Sequence, residues 1–125
     1  RLWREVDTAI PFYLQDPAWM DGSGAPYVGY AWYVFEIDLA RPARGRALRA
    51  LVPAVSCEAW AWVNGRFAGH RPYLAAYVRP ASFEFDATPD LHEGRNVIAI
   101  RVDTSTSRVQ AAEGILGPLL VWSPR

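Results

Sequence analysis

The stretch Trp60-Ala61-Trp62-Val63-Asn64-Gly65-Arg66-Phe67-Ala68-Gly69 leaves the backbone few options. Asn-Gly between two apolar runs is a hairpin signal, because both central residues of a type I′ turn need positive φ and these two tolerate it best. Before the turn, Cys57, Ala59, Ala61 and Val63 fall on one face of a strand, and Glu58, Trp60 and Trp62 on the other. After it, Phe67 begins a return strand, Gly69 leaves room for close backbone approach, and Pro72 stops the pairing.

The flanking chain has the same character. Residues Tyr30 to Leu39 alternate, with Tyr33, Phe35, Ile37 and Leu39 on one face and Trp32, Val34, Glu36 and Asp38 on the other. Arg46 to Val52 reads as a strand ended by Pro53. Phe83 and Phe85 alternate with Glu84 and Asp86. Asn96 to Asp103 places Ile98, Ile100 and Val102 on one face. Ile115 to Trp122 reads as a last strand, bent at Gly117-Pro118. Leu2 to Val6 is a candidate edge strand. Thr88-Pro89-Asp90 has the form of a hydroxyl-capped helical turn, closed by Gly94. About eight short strands at regular spacing predict an all-β fold, an antiparallel two-sheet β-sandwich of jelly-roll type.

Composition narrows the function classes. At 125 residues the chain is one domain, and 51% hydrophobic residues suffice for a packed core. Thirteen basic residues, all arginine, cancel thirteen acidic ones, which gives no footprint for nucleic acid or an anionic membrane. The lone Cys57 excludes a disulfide framework and a thiolate metal site. No apolar run approaches the ~20 residues of a membrane helix. The chain shows no signal peptide and no initiator Met, and reads as a piece of something longer. No compartment follows from it.

Four runs carry a resemblance: Gly29-Tyr30-Ala31-Trp32-Tyr33, Trp62 to Gly69, Phe83-Glu84-Phe85-Asp86-Ala87-Thr88, and Gly94 to Val102. Over roughly residues 16–122 the chain resembles the jelly-roll sugar-binding domain of glycoside hydrolase family 2 enzymes, a member of the galactose-binding-like fold. The resemblance implies a non-catalytic module of a β-galactosidase, β-glucuronidase or related parent, with catalysis in a separate barrel. The family follows its Gly-Ile with an aromatic and an Arg, whereas Gly114-Ile115 here precedes Leu116-Gly117-Pro118. That departure points to a more distant parent, such as an α-rhamnosidase-like enzyme.

Candidate site residues divide into two groups. A sugar site needs planar donors that fork onto hydroxyls and an aromatic face for the ring. The loop from residue 70 to 80 offers His70, Arg71, Tyr73, Tyr77 and Arg79, and Tyr27 and Trp19 join them if the first loop meets it at one end. The bland alternative has the tyrosines pinning the loop and the arginines pairing with Glu84 or Asp86. The second group is Trp32, Trp60 and Trp62, all on faces opposite the presumed core. They are expected to be covered by residues 1–29, docked on another domain, or open to a ligand. Glu84 and Asp86 share a strand face, but a solvated Glu84 and a turn-bonded Asp86 outweigh a catalytic pair. Neither His70 nor His92 lies in a nucleophile pattern. No catalytic residue, metal ligand or cofactor is assigned, with a structural Ca²⁺ in a loop left as a minor option. The expected partners are carbohydrate and the other domains of a parent glycoside hydrolase. The runner-up is a purely structural interdomain brace with no ligand.

Overall fold

The computed structural model describes residues 3–10, 27–41, 45–73, 81–105 and 114–124. Among these the secondary structure is all β: β1 Tyr30–Leu39, β2 Arg49–Val55, β3 Glu58–Val63, β4 Arg66–Arg71, β5 Ala81–Asp86, β6 Gly94–Asp103, β7 Ile115–Leu116 and β8 Leu120–Trp122. They form two antiparallel sheets. One has the order β1-β6-β3-β4; the other has β5-β2-β7, with β8 also paired to β2. The protein is a two-sheet antiparallel β-sandwich.

Period-two alternation sets which residues go inside. Ile98, Ile100 and Val102 of β6 and Ala59, Ala61 and Val63 of β3 are fully buried, facing Ala50, Val52, Phe83 and Phe85 of the other sheet. Tyr33 crosses the sandwich from β1, and its hydroxyl accepts a bond from the Ile115 amide at 3.3 Å. Burial pushes its pKa up. The two sheets approach closely at Gly69, where a Cβ would sit 2.8 Å from the Cβ of Phe85. Only glycine fits there.

The expected hairpin is present. Asn64 and Gly65 have φ of 48° and 83°, the left-handed pair that a type I′ turn requires. Asn64 does more than turn the chain. Its Oδ1 accepts from the Val97 amide at 2.9 Å, and its Nδ2 donates to Asn96 Oδ1 at 2.8 Å and to the Asp90 carbonyl at 2.7 Å. The fully buried Asn96 completes this network, donating to the carbonyls of His92 and Gly94.

Four expectations need correction. Residues 3–7 form no strand; Asp7 Oδ1 caps the Ala9 amide at 2.8 Å and turns the chain away. Pro53 does not end its strand. β2 runs on to Val55 through a bulge, because the register against β5 shifts between Val52 and Val55. On the other side of Pro53 the pairing passes from β8 to β7, so neither neighbour needs the missing amide there. The last strand is accordingly two, β7 and β8, separated at Gly117 (φ 91°). Thr88 is not a helix cap; residues 88–90 are one turn. Asp86 caps it instead, accepting from the Thr88 amide at 3.0 Å, while the Thr88 hydroxyl accepts from the Leu48 amide at 2.8 Å.

Candidate functional site: an aromatic sheet face around Arg101

The sequence places Trp32, Trp60 and Trp62 on outward positions of their strands. Register brings them together. Trp32 of β1 lies opposite Arg101 of β6; Arg101 lies opposite Trp60 of β3; Trp60 lies opposite His70 of β4. One row across all four strands therefore reads Trp32, Arg101, Trp60, His70. The next row is Val34, Ala99, Trp62 and Phe67. Ala99 is small, which lets Trp62 and Trp32 close over it to a centroid distance of 5.1 Å.

The rings make extensive contacts within this face. The Arg101 guanidinium lies 4.3 Å from the Trp60 centroid, 5.0 Å from Tyr30, 5.8 Å from Trp32 and 5.9 Å from Trp62. All are inside the ~6 Å range of cation–π attraction. On the far side of Trp60, His70 stacks at 5.2 Å with planes 16° apart. Both faces of Trp60 are thus occupied, by a guanidinium and an imidazole. Trp62 meets Phe67 edge-on at 5.8 Å. The face nevertheless stays open: Trp32 is 46% exposed, Phe67 59% and Tyr30 57%.

Charges close its margins. His70 Nε2 sits 2.7 Å from Glu58 Oε1, and Arg95 reaches Glu36 at 2.6 Å. Arg101 differs. Among the described residues it has no carboxylate within ion-pair distance, and its Nε is buried without a hydrogen-bond partner.

The residues assigned to a sugar site scatter. His70 and Arg71 point to opposite faces of β4, as neighbours on a strand must. His70 belongs to the aromatic face. Arg71 turns inward, and its Nη2 donates to the carbonyls of Val55 at 2.7 Å and Cys57 at 2.5 Å, while Nη1 reaches Ala81 O at 3.2 Å. It ties β4 to the second sheet and is no free fork for hydroxyls; nor does it pair with Glu84 or Asp86. Glu84 pairs with Arg49 at 2.9 Å, and Asp86 serves its turn. Tyr73 follows β4 and is 38% exposed. Tyr27 precedes β1, is 39% exposed, and donates its hydroxyl to Tyr30 O at 3.1 Å. These two tyrosines lie at the same end of the first sheet but at opposite edges, three strand spacings or about 14 Å apart. Trp19, Tyr77 and Arg79 lie outside the described residues. Among the described residues no group of three or more His, Cys, Asp or Glu side chains could hold a metal ion.

The sequence reading missed Arg101, although one signal was present. It is a charged residue in a strand whose other face is Ile98, Ile100 and Val102. That it lies between two tryptophans is a fact of register, which a single strand does not carry.

A sandwich with one aromatic sheet face defines an architecture; known proteins place it among larger chains. No family model matches the sequence. The chain is 29% identical over 101 residues to a candidate β-glucuronidase of Formosa agariphila, a match covering 78% of this chain and 9% of that protein. The solved β-glycosidase of Bacteroides vulgatus aligns at TM-score 0.63 and 29% identity, over 84% of this chain and 13% of that one. A glycoside hydrolase family 2 member from Bacteroides cellulosilyticus aligns at TM-score 0.76 over 98% of this chain and 17% of its own, with 20% identity, which speaks for the fold alone. The sequence similarity is thus to a β-glucuronidase and a β-glycosidase, and this chain spans under a fifth of each of these three proteins.

Proposed function

We propose that this chain is a non-catalytic accessory β-sandwich of a glycoside hydrolase related to family 2, and that it acts by docking its aromatic face on another domain of its parent. The observation that carries this reading is the surface of exposed Tyr30, Trp32, Val34 and Phe67 around the half-buried Trp60 and Trp62, on a sandwich similar to a small part of much longer glycosidases. Contiguous apolar surface of this kind marks an interaction site. The reaction belongs to the parent, a β-glucuronidase or β-glycosidase by its similarity. The test is the accessibility of this face. A Val34→Cys reporter on this face is expected to react with a soluble thiol reagent at least about tenfold more slowly in the parent chain than in the 125-residue chain. Equal rates would remove the docking reading.

Carbohydrate binding is the second reading, supported by the exposed rings of Tyr27 and Tyr73 at one end of the sheet. Titration with galactose, glucuronic acid, mannose and rhamnose, followed by NMR, is expected to shift residues around 27 and 70–73 if it holds. An unchanged spectrum at tens of millimolar, the weak end of affinities, would leave the brace alone.

A further inference from the structure

The docking reading says where the partner sits; Arg101 says what the partner must present. We propose that Arg101 is the charge anchor of this face, and that the docked domain of the parent chain places a carboxylate against it from within an apolar surface.

Three observations carry this. Arg101 stands at the centre of the face, opposite Trp32 on one side and Trp60 on the other. Its Nε is buried without an acceptor, so that N–H has given up water without gaining a partner, and among the described residues the half-buried guanidinium has no carboxylate beside it. Of the other charges on this side, Glu58 with His70 and Glu36 with Arg95 are paired at its margins, Asp103 accepts from the Ser105 amide, and Asp38 lies at the far end of β1. A cation held by rings lacks only an anion, and a partner with a planar carboxylate would supply it with two parallel hydrogen bonds. The interface then has paired charges at its rim, aromatic rings inside, and one desolvated ion pair at its centre, the arrangement in which an Arg carries most binding energy.

The same geometry weighs against other occupants. A second copy related by a two-fold axis through the face would bring two unpaired guanidinium groups together. A sugar ring needs a bare aromatic face; Trp60 has a group stacked on each side, and Trp32 and Trp62 are tilted 38° to one another.

This inference rests on the docking reading, and one experiment separates the two. In the parent chain bearing Val34→Cys, Arg101→Gln is expected to restore labelling at residue 34 at least about tenfold, toward the rate of the 125-residue chain. Arg101→Lys keeps the charge but loses the fork, and should restore it partially; added salt should speed labelling in the Lys variant more than in the native chain. If residue 34 is protected in the parent and stays protected in Arg101→Gln, the anchor is wrong and docking stands. If residue 34 is never protected in the parent, both fail. If oligomers of glucuronic or galacturonic acid slow labelling of the 125-residue chain, and Arg101→Gln abolishes that effect, the face takes an acidic saccharide and the protein partner is overturned. Should Arg101→Gln not fold, the Lys variant and its salt series decide: no recovery at any salt overturns the anchor.

Discussion

Arg71 and Asp86 show how one side chain can be recruited by the backbone before any ligand reaches it. Arg71 holds three carbonyls from the β2–β3 connection and β5. Lysine cannot span them, so Arg71→Lys is expected to lower stability by about 2 kcal/mol or more, measured by urea unfolding. If stability is unchanged, the inward pose is wrong and Arg71 is free to serve the loop. Asp86 is held below the usual carboxylate range by the Thr88 hydroxyl, then by the Thr88 amide, and to a lesser degree by the charge of Arg49. A carboxylate depressed in the folded state stabilises fully above its unfolded pKa and loses that contribution as pH falls through the folded one. The stability gap between the native chain and Asp86→Asn should therefore be widest near neutrality and narrow as pH drops below the ordinary aspartate range. A gap that widens in acid would contradict the hydrogen bonding. That Asp86 would bond the following turn was legible, because a short acid two residues before a hydroxyl favours that bond. The fate of Arg71 was not, since its acceptors lie 10 to 16 residues away in sequence.

At the scale of elements, the Asn64-Gly65 turn separates local from long-range information. Glycine satisfies a type I′ turn as readily as asparagine does, so turn propensity alone predicts that Asn64→Gly is harmless. The structure predicts otherwise. The substitution removes the side chain that bonds Val97 N, Asn96 Oδ1 and Asp90 O, and should cost about 1–3 kcal/mol with the hairpin still formed. Chemical denaturation, with the NMR shift of Gly65 as a hairpin marker, checks both halves. Strands β1, β3, β5 and β6 could be read directly: β5 and the end of β1 alternate apolar and polar residues, β6 repeats Ile98, Ile100 and Val102 on one face, and the Asn64-Gly65 turn frames β3. β2 and the β7–β8 pair were harder. Pro53 looks like a stop and Gly117-Pro118 like a bend, yet Pro53 sits where bulged β2 passes the break between β8 and β7, so β2 continues while its partner divides at Gly117.

For the whole molecule, zero formal charge combined with an open aromatic face predicts loose, non-specific association of the 125-residue chain at high concentration, without the two-fold pairing that Arg101 opposes. Val34→Glu with Phe67→Glu should raise the concentration at which light scattering increases. Ala47→Glu with Ser82→Glu adds the same charge at exposed positions outside the face and should do so less. Both doubles should unfold within about 0.5 kcal/mol of the native chain per substitution. If the two doubles behave alike, net charge is responsible and not the face. Alternation of side chains along each strand is a local property, set by backbone geometry, so the sequence by itself determined the sandwich class, its hairpin and the inward residues. It also determined that Trp32, Trp60 and Trp62 would face outward. Which outward residues become neighbours depends on strand order and register, and those follow from packing the whole core. Only the tertiary structure could therefore set Arg101 between Trp32 and Trp60, bring the carbonyls of Val55 and Cys57 to Arg71, and hold Tyr27 and Tyr73 at opposite edges of one sheet.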